Sequence, residues 1–171
     1  MGMMRPYETK TETTMDFRIT GLPATAFRKY FAMSAAELET RHAVRRIVDE
    51  KPGAPCRVGL VDAEPGEEVL LVNFEHLPVD SPYRSRHAIY VRGLAVETFD
   101  RVNEVPPALR PRLLAVRAFD ARHMMIGCDI AEGAIVEPLI GRLLANPEAA
   151  YLHVHFARAG CYAARVTRCD A

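Results

Sequence analysis

Apolar and polar residues alternate over many short stretches of this chain, and helical spacing appears in only a few. Phe17-Arg18-Ile19-Thr20 alternates and predicts a first strand, broken by Gly21-Leu22-Pro23. Phe27, Tyr30 and Phe31 share one helical face. Ser34-Ala35-Ala36-Glu37 has capping-box chemistry and predicts a second short helix that carries Leu38 and ends near His42. Val44 to Val48 fits neither period. Lys51 to Pro55 predicts a loop, Cys56 to Val61 a strand, and Glu64-Pro65-Gly66-Glu67 a type II turn closing a hairpin. Val69 to Phe74 is apolar at nearly every position, which suits a central strand covered on both faces. Glu75 to Arg86, with Pro78 and Pro82, predicts a polar loop, followed by a strand over Ala88 to Val91.

The second half repeats the theme. Pro106-Pro107 opens a short helical turn that Pro111 limits. Leu113 to Phe119 and Met124 to Ile130 predict two more strands. Ile135, Leu139, Ile140, Leu143 and Leu144 form a helical stripe. The helix is expected to begin near Glu137, with Pro138 in its first turn, and Asn146-Pro147 stops it. Tyr151 to Val166 reads as a closing strand-turn-strand. Strands joined by loops and hairpins, with few helices and no regular β-α-β alternation, predict an α+β domain with a mixed, largely antiparallel sheet. One core suffices for 171 residues, so a single domain over residues 15 to 171 is expected. A polar, Thr/Glu-rich tail over residues 1 to 14 is expected to be disordered, and Met15 is an alternative start to Met1.

Charge narrows the function classes. Lys and Arg number 22, as do Asp and Glu, so the formal net charge is zero. A general affinity for nucleic acid or anionic membrane would need a basic excess. No apolar run is long enough for a bilayer helix, and no secretory signal is evident. Cys56, Cys128, Cys161 and Cys169 form no C-x-x-C pair, which suits free thiols in a reducing cytoplasm.

The closing hairpin holds the most informative chemistry. His153 and His155 alternate within an apolar run, so a strand sends both to one face. Pairing Leu152 with Val166, Val154 with Ala164 and Phe156 with Tyr162 keeps the other face apolar. That register sets His153 opposite Arg165 and His155 opposite Ala163, with Cys161 in the turn. A cation beside His153 favours neutral imidazole. Neutral imidazoles beside an arginine suit a small anion. His76, Tyr83, Arg84 and His87, in or beside the long loop, are further candidates for the same ligand. Arg57 and Arg117 lie within apolar strands, where a charge needs a partner. An ion pair with Asp120 or Glu75 is expected first, and an anion pocket second.

Three other readings remain open. An enzyme would use His153 or His155 as general base, with or without Cys161 as nucleophile and His155 as its partner. A metal protein would add His76, His87 or Cys161 to the His153/His155 pair. A protein-binding module would bury its histidines fully hydrogen-bonded. His153-Val154-His155 is followed by Phe156-Ala157, with neither a nearby Glu nor a third alternate His, so familiar metal and nucleotide-hydrolase patterns are absent. There is no glycine-rich phosphate loop, G-x-S-x-G elbow or H-E-x-x-H, and no cofactor is expected.

Several segments occur together in a known order. They are Phe17-Arg18-Ile19-x-Gly21-Leu22-Pro23, Pro55-Cys56-Arg57, Leu70-Leu71-x-Asn73-x-Glu75-His76, Ser81-Pro82-Tyr83-Arg84, His87-Ala88-Ile89 and Arg117-Ala118-Phe119-Asp120. Tyr151-Leu152-His153-x-His155 and Gly160-Cys161-Tyr162-Ala163-Ala164-Arg165 complete them. With these, the chain from Phe17 onward resembles a bacterial family described as a domain of unknown function, family 1203. The resemblance brings no activity, cofactor or catalytic residue with it. Phe156 departs from the family pattern, where Asn is frequent, so no amide is expected at that position.

Overall fold

The computed structural model describes residues 15–93 and 97–169; the expected tail over residues 1 to 14 lies outside the described residues. In chain order the strands are β1 (Phe17–Thr20), β2 (Ala43–Ile47), β3 (Glu68–Leu77), β4 (Ser85–Arg92) and β5 (Asp100–Val102). They continue with β6 (Leu113–Phe119), β7 (Met125–Glu132), β8 (Tyr151–Phe156) and β9 (Tyr162–Arg168). Three short helices accompany them: α1 (Arg28–Phe31), α2 (Ala35–Glu39) and α3 (Glu137–Leu144). The strands form two antiparallel sheets, one ordered β5-β1-β9-β8-β6-β7 and the other β2-β3-β4. The fold is α+β.

Strand alternation divides the large sheet into two unlike faces. Leu114 and Val116 of β6, Leu152 and Val154 of β8, and Ala164 and Val166 of β9 form the apolar one. Onto it α3 lays Leu139, Ile140, Leu143 and Leu144, as its sequence stripe requires. Pro138 sits at the helix start, where its missing N–H is harmless. Ile135 belongs to a preceding 3-10 turn and points to solvent, 67% exposed, so it is not part of the stripe. The opposite face carries Phe119, Tyr151, His153, His155 and Tyr162 and packs against the small sheet, which presents Leu70, Val72, Phe74 and His76 from β3 and His87, Ile89 and Val91 from β4.

Three local expectations are corrected. Cys56 to Val61 is not a strand: Leu60 takes a positive φ of 52°, and its N–H donates to the Cys56 carbonyl at 3.1 Å, closing a turn. Only bridges at Pro55–Asp62 and Cys56–Tyr90 remain of the expected pairing. The Glu64–Glu67 turn exists, with Gly66 at φ 88°, yet it closes no hairpin with that segment; Gly66 N–H donates instead to Val48 at 2.8 Å. The loop expected over Glu75 to Arg86 is shorter, because β3 runs to Leu77 and β4 starts at Ser85, placing both His76 and His87 in strands. Val44 to Val48, of unresolved type in the sequence, mostly belongs to edge strand β2. β5 went unforeseen, since its three residues are all exposed at a sheet edge and show no alternation. The capping box at Ser34 forms as expected, with Ser34 Oγ accepting from Glu37 N–H and the Glu37 carboxylate accepting from Ser34 N–H.

The Cys56–Val61 turn is wedged between the sheets. Its Arg57 N–H donates to Tyr90 of β4 at 2.9 Å, and the Arg57 carbonyl accepts from Leu22 N–H at 2.7 Å. Gly21, at the end of β1, permits this approach: a Cβ there would fall 2.1 Å from the Val58 carbonyl oxygen. Gly21→Ala is therefore expected to cost about 2 to 3 kcal/mol through overpacking. Gly141→Ala in α3, where a Cβ meets nothing, is expected to be neutral or stabilising by up to about 1 kcal/mol. Urea denaturation midpoints of the two variants check the contrast.

Candidate functional site

The histidine face is built by cross-strand register. Arg117 of β6, His153 of β8 and Arg165 of β9 are successive partners across the sheet. The predicted pairings Leu152–Val166, Val154–Ala164 and His153–Arg165 are present. The next step differs. A bulge between Val154 and His155 makes Ala163 the extra residue, so His155 faces Tyr162 and not Ala163. Tyr162 thereby leaves the apolar face, where pairing with Phe156 would have put it, and joins the histidines. Hydrophobicity alone favoured the regular register; the bulge adjoins a turn in which Gly160 takes a φ of 72°.

Four imidazoles from two sheets meet in this layer. His153 is 2% and His155 1% exposed. Ring centroids lie 5.5 Å apart for His76–His153 and for His76–His155, and 5.4 Å apart for His87–His155. His76 stacks on Tyr162 at 4.4 Å, and its Nε2 lies 2.8 Å from His87 Nδ1. His155 Nδ1 donates to the Gly160 carbonyl at 3.0 Å, which leaves Nε2 of the neutral ring unprotonated. The Nδ1 atoms of His76 and His153 are buried without a partner, so the layer is not fully satisfied. Burial, reinforced by the neighbouring His155 and His87, pushes the His76 pKa down to about 3. Burial also takes His153 to about 2, with His76, His155 and Arg165 adding to the effect. For His155 burial outweighs the Gly160 hydrogen bond and gives about 4. His87 is lowered as well, again mainly by burial. All four are neutral at neutral pH. Desolvation is the main cause, and the Arg165 effect expected from the sequence is secondary.

Beside this layer opens a cavity of about 760 Å³. Arg57, Arg112 and Arg158 line it, together with His87, Tyr90 and Cys161; Glu132 is the carboxylate on its wall. Arg112 is neutralised by a two-pronged pair with Asp62, at 2.6 and 2.8 Å. Arg57 is not. It is 2% exposed, and its guanidinium donates to the Tyr162 carbonyl at 2.7 Å, to the Pro55 carbonyl, and to Cys161 Sγ at 3.0 Å. Among the described residues no carboxylate pairs with it, which corrects the expected ion pair. Burial pushes its pKa below the ordinary arginine value, with the Cys161 contact opposing. The Phe156 ring lies within reach of both guanidiniums, 4.7 Å from Arg57 and 5.1 Å from Arg112. The Tyr162 carbonyl that Arg57 grips belongs to the residue the bulge reorients.

The sequence candidates separate into groups. His76, His87, His153 and His155 converge. His87 and Cys161 line the cavity. Arg84 is exposed and paired with Glu75 at 2.6 Å. Arg165 lies over the Tyr151 ring at 4.1 Å, and Tyr83 packs edge-on against Phe119. Arg117 has no ion-pair partner among the described residues, because Glu75 pairs with Arg84 and Asp120 caps its own turn at Arg122 and Met124. No hydrogen bond joins His155 to Cys161 among the described residues. Nor, among them, are any three His, Cys, Asp or Glu side chains arranged to hold a metal ion. Sequence reasoning named none of Arg112, Arg158 and Tyr90 as a site residue. Arg57 carried the one usable signal, a charge in an otherwise apolar run.

Fold and site thus define an α+β protein of two antiparallel sheets with an arginine-lined cavity beside a neutral histidine layer. Residues 53–168 match the model of the family described as Protein of unknown function (DUF1203), and the chain belongs to that family. No curated protein and no solved structure matches. None of the described helices is long and apolar enough to cross a membrane.

The buried imidazoles make stability depend on pH. Their folded pKa values lie below the unfolded value of about 6.5, so the unfolded chain takes up protons first as pH falls. Stability is expected to be full above about pH 6.5 and to fall between there and about pH 4, by up to about 1.4 kcal/mol per pH unit for each such group. Urea denaturation at stepped pH checks this, and His153→Gln should show a shallower slope in that window.

Proposed function

We propose that this protein binds a small anionic ligand, bearing phosphate or carboxylate, in the cavity lined by Arg57, Arg112 and Arg158. The observation that carries this reading is the buried, unneutralised guanidinium of Arg57. Leaving a buried charge without a counter-ion costs several kcal/mol, so such a charge is expected where an anion arrives from outside. Arg158 adds an exposed cation on the same wall, and it has no ion pair among the described residues. The cavity has the volume of an organic ligand site, and Tyr90, Phe156 and Leu113 offer apolar surface for the ligand's body. The proposed contacts have moved from those expected in the sequence. His87 stays, and Arg57 and Arg158 take the place given to Arg84 and Arg165. Four free cysteines support a reducing compartment such as the cytoplasm.

Thermal melts with an anion panel, including phosphate, pyrophosphate, citrate and pyridoxal phosphate, test the proposal. At least one anion near 100 times its Kd is expected to raise the wild-type Tm by about 5 °C or more. The rise should shrink in Arg158→Ala, which keeps the buried structure intact, and vanish in Arg57→Met. Arg84→Ala should respond like wild type. Equal responses in wild type, Arg158→Ala and Arg57→Met, or none in wild type, would overturn the reading.

A further inference from the structure

The hydrogen on His87 is placed by its neighbour. His76 Nε2 and His87 Nδ1 are 2.8 Å apart, and the two rings are within 12° of parallel with centroids 4.8 Å apart. The short N···N distance between nearly parallel rings makes this an edge-to-edge N–H···N bond, and one of the two nitrogens must supply the hydrogen. His76 Nδ1 is buried without a partner. Were His87 the donor, a neutral His76 would accept at Nε2 and carry its only ring hydrogen on Nδ1. That would bury an N–H with no acceptor, the rarer and costlier orphan. With His76 as donor, Nδ1 is only an unshared lone pair. His87 then accepts at Nδ1 and, being neutral, carries its own hydrogen on Nε2.

His87 lines the same cavity as Arg57 and Arg158. We propose that His87 presents an Nε2–H donor to the cavity and reads the oxygen of a fully ionised oxyanion together with Arg57, with His76 as the positioning residue that fixes this tautomer. This rests on the anion reading above and deepens it. A donor that holds its hydrogen without titrating accepts no proton from the ligand. The favoured ligand class is therefore an oxyanion already ionised at neutral pH, phosphate or carboxylate in type. A ligand that must lose its proton to an enzyme base is disfavoured.

Two measurements test it. Ring-nitrogen NMR of the wild type is expected to show His87 protonated on Nε2 and bare on Nδ1. In His76→Leu the lock is gone and both tautomers should appear, a signature that loss of packing alone does not produce. Calorimetry with pyrophosphate is expected to show affinity reduced about tenfold in His87→Leu and largely restored in His87→Gln, whose amide returns an N–H. Hydrogen on Nδ1 of wild-type His87, or His87→Leu binding as tightly as wild type, would overturn this inference while leaving the cavity's anion role standing. Failure of wild type to bind any member of the anion panel would overturn both.

Discussion

Everything in the site depends on four imidazoles remaining uncharged between two sheets. The small sheet rests on the large one through His76 and His87 on one side and His153, His155 and Tyr162 on the other. Ring centroids lie 5.4 to 5.5 Å apart, so protonating one ring would set a charge among close neighbours, with two ring nitrogens already lacking a partner. Burial prevents that, and it does so more strongly than any single neighbouring cation. Hydrogen-bond geometry in turn assigns hydrogens: His155 Nδ1–H donates to the Gly160 carbonyl, and in the proposed tautomer His76 gives its hydrogen to His87. The layer is a packing element and, through His87, one wall of the cavity.

Arg57 is the complementary case, a charge that burial does not remove. Guanidinium stays protonated in proteins, so a buried one needs partners. Backbone carbonyls of Pro55 and Tyr162 and the Cys161 sulfur supply hydrogen bonds, but no carboxylate among the described residues supplies charge. Asp62, close in sequence, is occupied by Arg112. The bulge that reorients Tyr162 onto the histidine face also leaves its carbonyl for Arg57. One irregularity in the closing hairpin therefore couples the histidine layer to the arginine cavity.

Much of the scaffold was legible because local pattern dictated it. β6 runs over the predicted residues, β1 likewise, and α3 begins at the predicted Glu137. Each has a periodic apolar face longer than a turn. The misreadings have separate causes. Cys56 to Val61 is apolar enough for a strand but is buried as a turn wedged between sheets, where burial and not pairing explains its composition. β5 is exposed and short, so it carries no period at all. His76 and His87 looked like loop flanks because polar residues on strand ends resemble loop residues when the covering sheet is unknown.

Sequence alone determined that His153 and His155 share a face, that Arg165 stands opposite His153, and that an α+β sheet protein results. These follow from strand alternation and amphipathic stripes, which are properties of neighbouring residues. Only the tertiary structure decided which arginine matters. Arg84 and Arg165 are local neighbours of the histidines in sequence or register, yet one pairs with Glu75 at the surface and the other lies over Tyr151. Arg57, 105 residues from the Tyr162 carbonyl it grips, ends up buried at the cavity wall. The protonation of the four clustered histidines was decided there too, because desolvation is set by what the second sheet covers. No local pattern specifies that.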